Sequence, residues 1–218
     1  MSRKRVAVLI SDRGSNMAAL IEAAKTKDFP AKIVLVVSNR PEAGGLKTAR
    51  AAGIATETVD HTGFGKDRAA FERALQAALE KHGIELVCLA GFMRLLTPWF
   101  VTQWQNRLLN IHPALLPAFK GLDTHKRALQ AGVKIHGATV HFVVPEMDSG
   151  PIVAQGAVAV REDDTEASLA ARVLAVEHRI YPLALKLLAE GRLRVEGTRC
   201  SITGDVPSDG ILLVPGRD

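Results

Sequence analysis

Residues 6–10 read Val6-Ala7-Val8-Leu9-Ile10, followed by Ser11-Asp12-Arg13-Gly14-Ser15-Asn16 and then by Met17-Ala18-Ala19-Leu20-Ile21-Glu22-Ala23-Ala24. Five apolar residues without alternation predict a strand covered on both faces, as in a parallel sheet. Gly14 permits a tight turn, Ser15 and Asn16 suit a helix start, and residues 17–24 have high helix propensity. Strand, glycine turn and helix N-terminus in that order make an anion site, because free backbone N–H groups and the positive end of the helix dipole face one point. Arg13 adds a cation. The turn lacks the three spaced glycines of a dinucleotide fingerprint and the Gly-Lys-Ser/Thr ending of a Walker loop. A connecting turn that binds nothing is the competing reading.

The same unit repeats outward. Strands are predicted at 32–38, 54–59 and 85–90, and helices at about 45–52 and 67–82. In the latter helix Phe71, Leu75 and Leu79 lie four apart with charges between them, which lays one face on the sheet. Strand and helix alternating through the first half predict an α/β fold, a doubly wound and mostly parallel sheet with helices on both faces. Such sheets bind ligands beyond the carboxyl ends of their strands. Three segments fall at that edge: 11–16, 91–96 and a proline-rich stretch beginning at Asn110.

Gly91-Phe92-Met93-Arg94-Leu95-Leu96 is apolar yet carries an arginine, which suits a flat heteroaromatic ring. By composition alone, ordinary core beneath a helix starting near Thr97-Pro98 is the favoured reading of Met93, Leu95 and Leu96. Arg68 stands at a helix start, where the dipole does not favour a cation. It is either a solvated surface residue or the partner of a ligand carboxylate.

Asn110-Ile111-His112-Pro113-Ala114-Leu115-Leu116-Pro117 follows a strand at 107–111, and its two prolines hold an irregular path. Asn110 and His112, at i and i+2, project to one side of an extended backbone. An amide donor beside a protonated imidazole suits oxygen charge developing on a carbonyl under attack. A strand end and a turn cap would use the same two residues.

A short helix at 122–132 carries an exposed basic face at 124–127, and the strand 134–144 alternates. Ala138, Val140 and Phe142 form its core face, while Thr139 and His141 share the other and line a cavity. Asp148, in the turn 146–151, is a turn former or the acceptor of a hydrogen bond from His112, favouring the imidazolium. A strand at 152–160 leads to a helix at 164–190 with an apolar stripe through Leu169, Val173, Val176, Ile180, Leu183 and Leu187. Pro182 should kink that helix and Gly191 end it, with Glu177 and His178 flanking the stripe. An edge strand is expected at 192–196. The organisation expected is one domain over 1–196 and a loosely attached tail over 197–218, without internal repeats.

At 218 residues, 47% hydrophobic and 23% charged, the chain can bury a sizeable core. Its net charge of +5 is scattered and only 5% of residues are aromatic, which argues against nucleic acid as a partner and fits small anionic substrates. The two cysteines, Cys88 and Cys200, have no companions at metal-binding spacing, and His136 and His141 have opposite strand parity. No metal is expected. No stretch has membrane-spanning length and the N-terminus reads as a first strand, so no membrane partner and a reducing, cytoplasmic setting are expected.

Taken together, VLISDRGSN, LAGFMRLL, NIHPALLPAFKGLDTH, HGATVHFV, MDSGPI and EHRIYPL resemble the folate-dependent phosphoribosylglycinamide formyltransferases of purine biosynthesis, over nearly the whole chain. The resemblance implies that Gly14, Ser15 and Asn16 bind the ribose phosphate. It implies a folate site of Arg68, Met93, Arg94, Leu95, Leu96 and Asn110, and Glu177 as a further substrate contact. Asn110, His112 and Asp148 would be catalytic, with His141 and Thr139 in support. The cosubstrate would be 10-formyltetrahydrofolate, the acceptor glycinamide ribonucleotide, and the assembly a monomer or homodimer. The family often has glycine where this chain carries Asp12, which bears on phosphate affinity.

In the implied reaction the glycinamide amine attacks the formyl carbon. Asn110 and protonated His112 meet the tetrahedral oxyanion, and Asp148 assists proton transfer. Formyl transfer to a tRNA or sugar nucleotide, or hydrolysis of the formylfolate, would share this chemistry, but the tRNA enzyme is expected to need a further nucleic-acid-binding domain and the hydrolase a further regulatory one. A nucleotide-binding regulator without chemistry, and a metal hydrolase using His112, His141 and Asp148, are the readings from other classes.

Overall fold

The computed structural model describes residues 3–204; of the tail expected over 197–218, residues 205–218 lie outside the described residues, while Arg199–Ile202 within it form a strand. The elements are β1 (Lys4–Ile10), α1 (Ser15–Ala24), β2 (Ala31–Ser38), α2 (Gly44–Ala51), β3 (Ala55–Thr58), α3 (Arg68–Lys81) and β4 (Leu86–Leu89). They continue with α4 (Pro98–Gln103), β5 (Leu108–His112), α5 (Thr124–Gln130), β6 (Ile135–Phe142), β7 (Ile152–Ala159), α6 (Glu166–Ala189), β8 (Leu193–Glu196) and β9 (Arg199–Ile202). The main sheet has the order β3-β2-β1-β4-β5-β6-β7. Its first five strands are parallel, and β6 and β7 close it antiparallel.

The unbroken apolar run of β1 has the expected cause. Val6, Val8 and Ile10 pack with Met17, Leu20 and Tyr181 on one face. Ala7 and Leu9 pack with Phe71, Leu75 and Phe100 on the other. Burying one such leucine or phenylalanine contributes about 1.5–3 kcal/mol, so both faces must be covered for a central strand to persist. The sheet order places β1 and β4 side by side at its middle, with the loops after β2, β1, β4 and β5 along one edge.

Three expectations need correction. The strand at 193–196 forms, but it pairs with β9 in a separate two-stranded ribbon and does not extend the sheet edge. In α6 the buried face runs through Leu169, Val173, Glu177, Tyr181, Ala184 and Leu185, whereas Leu183 is 45% exposed. The helix presses on both the sheet and α1, so its covered arc is wider than one stripe. Part of this contact depends on Gly156: a Cβ there would sit 2.2 Å from Val176 Cγ1. Finally, residues 124–127 do not form one exposed basic face. His125 turns inward, its ring edge-on to His136 at 5.3 Å, while Lys126 and Arg127 remain exposed. Among the described residues no helix is long and apolar enough to cross a membrane.

Candidate active site

Strand pairing places the polar residues. In the β5–β6 register Asn110 lies opposite His141 and His112 opposite Thr139. Three of these four, together with Asp148 from the following loop, line a cleft of about 630 Å³. Met93, Arg94, Leu95 and Leu96 form another part of its wall, and Leu122 and His125 contribute from the proline-rich side.

The tautomers follow from fixed acceptors. His141 Nδ1 lies 2.9 Å from the Phe142 carbonyl, which only accepts, so that nitrogen carries the proton. Burial lowers the His141 pKa first, with a further contribution from His112, against the Phe142 carbonyl and Asp148, which raise it. Neutral His141 therefore presents Nε2 as an acceptor, and Asn110 Nδ2 donates to it at 3.2 Å. That bond fixes which end of the Asn110 amide is the donor and leaves its second N–H for another partner. His112 Nε2 donates to the Phe119 carbonyl at 3.0 Å, and its Nδ1 faces Asp148 Oδ2 at 3.5 Å. Asp148 holds a left-handed backbone conformation (φ 51), and its Oδ2 accepts from the Gly121 N–H at 2.8 Å. One carboxylate thus touches the imidazole and the loop that covers it.

Thr139 acts beneath the cleft and does not line it. Its hydroxyl donates to the Ala114 carbonyl at 2.7 Å, and it accepts from the Leu116 N–H and from Gln155 Nε2, each at 3.0 Å. Gln155 also donates to the Leu116 carbonyl at 2.9 Å. These bonds saturate the hydroxyl and hold the backbone just after His112. Gln155 was not singled out from sequence. It sits on β7 directly opposite Thr139 of β6, a register that no local pattern encodes.

The loop after β4 is pinned at three points. The Met93 N–H donates to Ser11 Oγ at 2.7 Å, Arg68 Nη2 donates to the Leu95 carbonyl, and the buried Glu72 carboxylate accepts from both the N–H and the hydroxyl of Thr97. Met93 and Leu95 are 61% and 65% exposed, so they form the rim of the cleft and not core beneath α4. Arg94 stacks over Phe71 at 5.8 Å. Arg68 lies outside the cleft lining and reaches the site only by holding Leu95.

Gly14 adopts φ 70, and the first intrahelical bond of α1 runs from Ala18 N to Gly14 O. The N–H groups of Ser15, Asn16 and Met17 precede that bond, as an anion site requires. The turn is braced by α2, where Gly45 N donates to Asp12 O at 3.0 Å and a Cβ on Gly45 would meet Ile10 Cδ1 at 2.5 Å. The Asn16 side chain points inward: Nδ2 donates to Glu177, and Oδ1 is buried without a hydrogen-bond partner. Glu177 is 7% exposed, not a surface flank, and burial raises its carboxyl pKa against the opposing Asn16 bond. Among the described residues no three His, Cys, Asp or Glu side chains are grouped to hold a metal.

The family model described as formyl transferase matches residues 4–185. Phosphoribosylglycinamide formyltransferase of Escherichia coli is 44% identical over 206 residues, covering 94% of this chain and 97% of that protein. The trifunctional purine biosynthetic protein adenosine-3 of Gallus gallus is 48% identical over 194 residues, but the chain spans only 19% of that longer protein. The crystal structure of glycinamide ribonucleotide transformylase 1 from Symbiobacterium toebii superposes with a TM-score of 0.89 at 46% identity, covering 92% of this chain and 94% of that one. On its sequence and its architecture, the chain belongs to the formyl transferase family and, within it, to the phosphoribosylglycinamide formyltransferases.

Proposed function

We propose that the chain transfers the formyl group of 10-formyltetrahydrofolate to the amine of glycinamide ribonucleotide. The observation that carries this reading is the convergence of Asn110, His112, His141 and Asp148 in one cleft that the 93–96 loop also lines. The pterin ring lies against Met93, Leu95 and Leu96, with the formyl group toward Asn110 and His112. The ribonucleotide phosphate takes the N–H groups of Ser15 and Asn16, which Gly14 exposes, and Glu177 contacts the same substrate. The amine nitrogen bonds to the formyl carbon, giving a tetrahedral oxyanion. The free N–H of Asn110 donates to that oxyanion, and the His112 imidazolium, whose Nε2 donates to the Phe119 carbonyl and whose Nδ1 faces the Asp148 carboxylate, stabilises it through its charge. Asp148, through water, takes a proton from the attacking nitrogen and returns one to the leaving folate nitrogen as the carbon–nitrogen bond breaks. No step requires a metal.

The unit 1–196 supplies every residue named, as a monomer or homodimer in the cytoplasm. The test is product identification by mass spectrometry after incubation with both substrates. Formylated glycinamide ribonucleotide supports the proposal. Formate with unmodified ribonucleotide would replace it with hydrolysis.

A further inference from the structure

Three neighbouring strand ends meet at one hydroxyl. The β1–β4 ladder ends with the pair Leu9 and Leu89, and Ala90 N donates back to Leu9 O at 2.9 Å. Beyond that point the two loops diverge, one toward Gly14–Asn16 and the other toward Met93–Leu96. Ser11, 1% exposed, spans the gap: its Oγ accepts the Met93 N–H at 2.7 Å and donates to Asn39 Oδ1 at 2.6 Å. Among the described residues, the Met93–Ser11 bond is the one hydrogen bond joining segment 11–16 to segment 91–96. Asn39, also 1% exposed, is the first residue after β2, and its carbonyl accepts from His61 Nδ1 at 2.8 Å. The hydroxyl is therefore held on its far side by a buried amide that is itself anchored, and it has no free rotor.

We infer that Ser11 is a positioning residue that couples the phosphate subsite to the folate subsite. A ligand that settles the 93–96 loop fixes the Met93 N–H, and through it Ser11 and the turn three residues on that ends at Gly14. The reverse path is the same bond. Each substrate thereby prepares the site of the other, and reciprocity requires equal factors in both directions. This inference rests on the substrate assignment proposed above.

The experiment is calorimetric titration of the intact chain with tetrahydrofolate, the unreactive product, with and without saturating glycinamide ribonucleotide. The wild type is expected to bind tetrahydrofolate about fivefold or more tightly when the ribonucleotide is present. Ser11→Ala should bring that ratio to about one, with KM rising for both substrates more than kcat falls. General loosening of the fold would weaken each ligand and leave the ratio unchanged, so the ratio separates coupling from damage. A ratio of one in the wild type, or the same ratio in both proteins, overturns the inference. If the alanine variant does not fold, Ser11→Cys keeps the volume, weakens both hydrogen bonds and is read in the same way. Failure of the substrate assignment has a different signature: titrated separately, the wild type then fails to bind tetrahydrofolate or fails to bind the ribonucleotide, whereas failure of the coupling leaves both bound and the ratio at one.

Discussion

His136 offers a test of the packing beneath the site. The residue is 1% exposed, its ring is edge-on to Phe119 and His125, and neither ring nitrogen has a hydrogen-bond partner of good geometry. Burial first, and then the charges of His125 and His112, lower its pKa from 6.5 to about 4, against a partial offset from the Pro113 carbonyl. The unfolded chain binds a proton below pH 6.5 that the folded chain refuses until about pH 4. The stability contributed by neutral His136 is thus complete above pH 6.5 and is lost as pH falls toward about 4. At about 1.4 kcal/mol per pH unit that interval sets a ceiling near 3 kcal/mol. Water reaching the half-buried His125 brings the expected loss to about 2 kcal/mol. His136→Phe removes the titration while keeping a flat ring. Overpacking costs it about 1–3 kcal/mol at every pH, so the slope and not the height of the stability curve is the readout. The assay is urea unfolding between pH 4 and pH 7.5. The wild type should lose about 2 kcal/mol more than the variant over this range. Parallel curves would mean that His136 does not carry the acid sensitivity.

Asp148→Asn retains an acceptor for the Gly121 N–H, and asparagine tolerates the left-handed backbone at this position. Steady-state kinetics should show kcat lower by about 10²–10⁴ with the unfolding midpoint little changed; unchanged kcat would remove Asp148 from the mechanism. Gly150→Ala would put a Cβ 1.8 Å from the Phe142 carbonyl oxygen, the same atom that fixes the His141 tautomer. It should cost more than about 2 kcal/mol in denaturant unfolding and lower kcat as well. For Glu177 the raised carboxyl pKa has the opposite sign to His136: its ionisation destabilises the folded state as pH rises above about 4.5. Glu177→Gln should therefore gain stability relative to wild type as pH goes from 4 to 7, while KM for glycinamide ribonucleotide increases.

What the sequence carried and what it hid follow from how far each signal reaches. The run at 6–10 was legible because a strand covered on both faces has no polar position, and the chain shows this locally. Strand parity likewise grouped Asn110 with His112 and Thr139 with His141. The β5–β6 register, which sets Asn110 opposite His141, depends on the path of the whole intervening loop and helix, and no local pattern encodes it. The turn at Gly14, Ser15 and Asn16 reads as an anion site through its backbone N–H groups, but the direction of the Asn16 side chain has no local signal, since a side chain in the first turn of a helix can face either way. Here Glu177, far along the chain on α6, draws it inward. Met93 and Leu95 looked like core because they are apolar; three polar anchors from Ser11, Arg68 and Glu72 hold the loop so that they face outward. Gln155 and Ser11 are ordinary polar residues whose partners lie 39 and 82 positions away, beyond any local signal.

On the function proposed above, the cleft of Asn110, His112 and Asp148 passes a formyl group from folate to glycinamide ribonucleotide. The most direct measurement follows the folate absorbance of 10-formyltetrahydrofolate with and without the ribonucleotide, for the wild type and for His112→Ala. Deformylation is expected to require the ribonucleotide and to be nearly abolished by the substitution. Turnover without the ribonucleotide, or turnover that survives the loss of His112 undiminished, would contradict it.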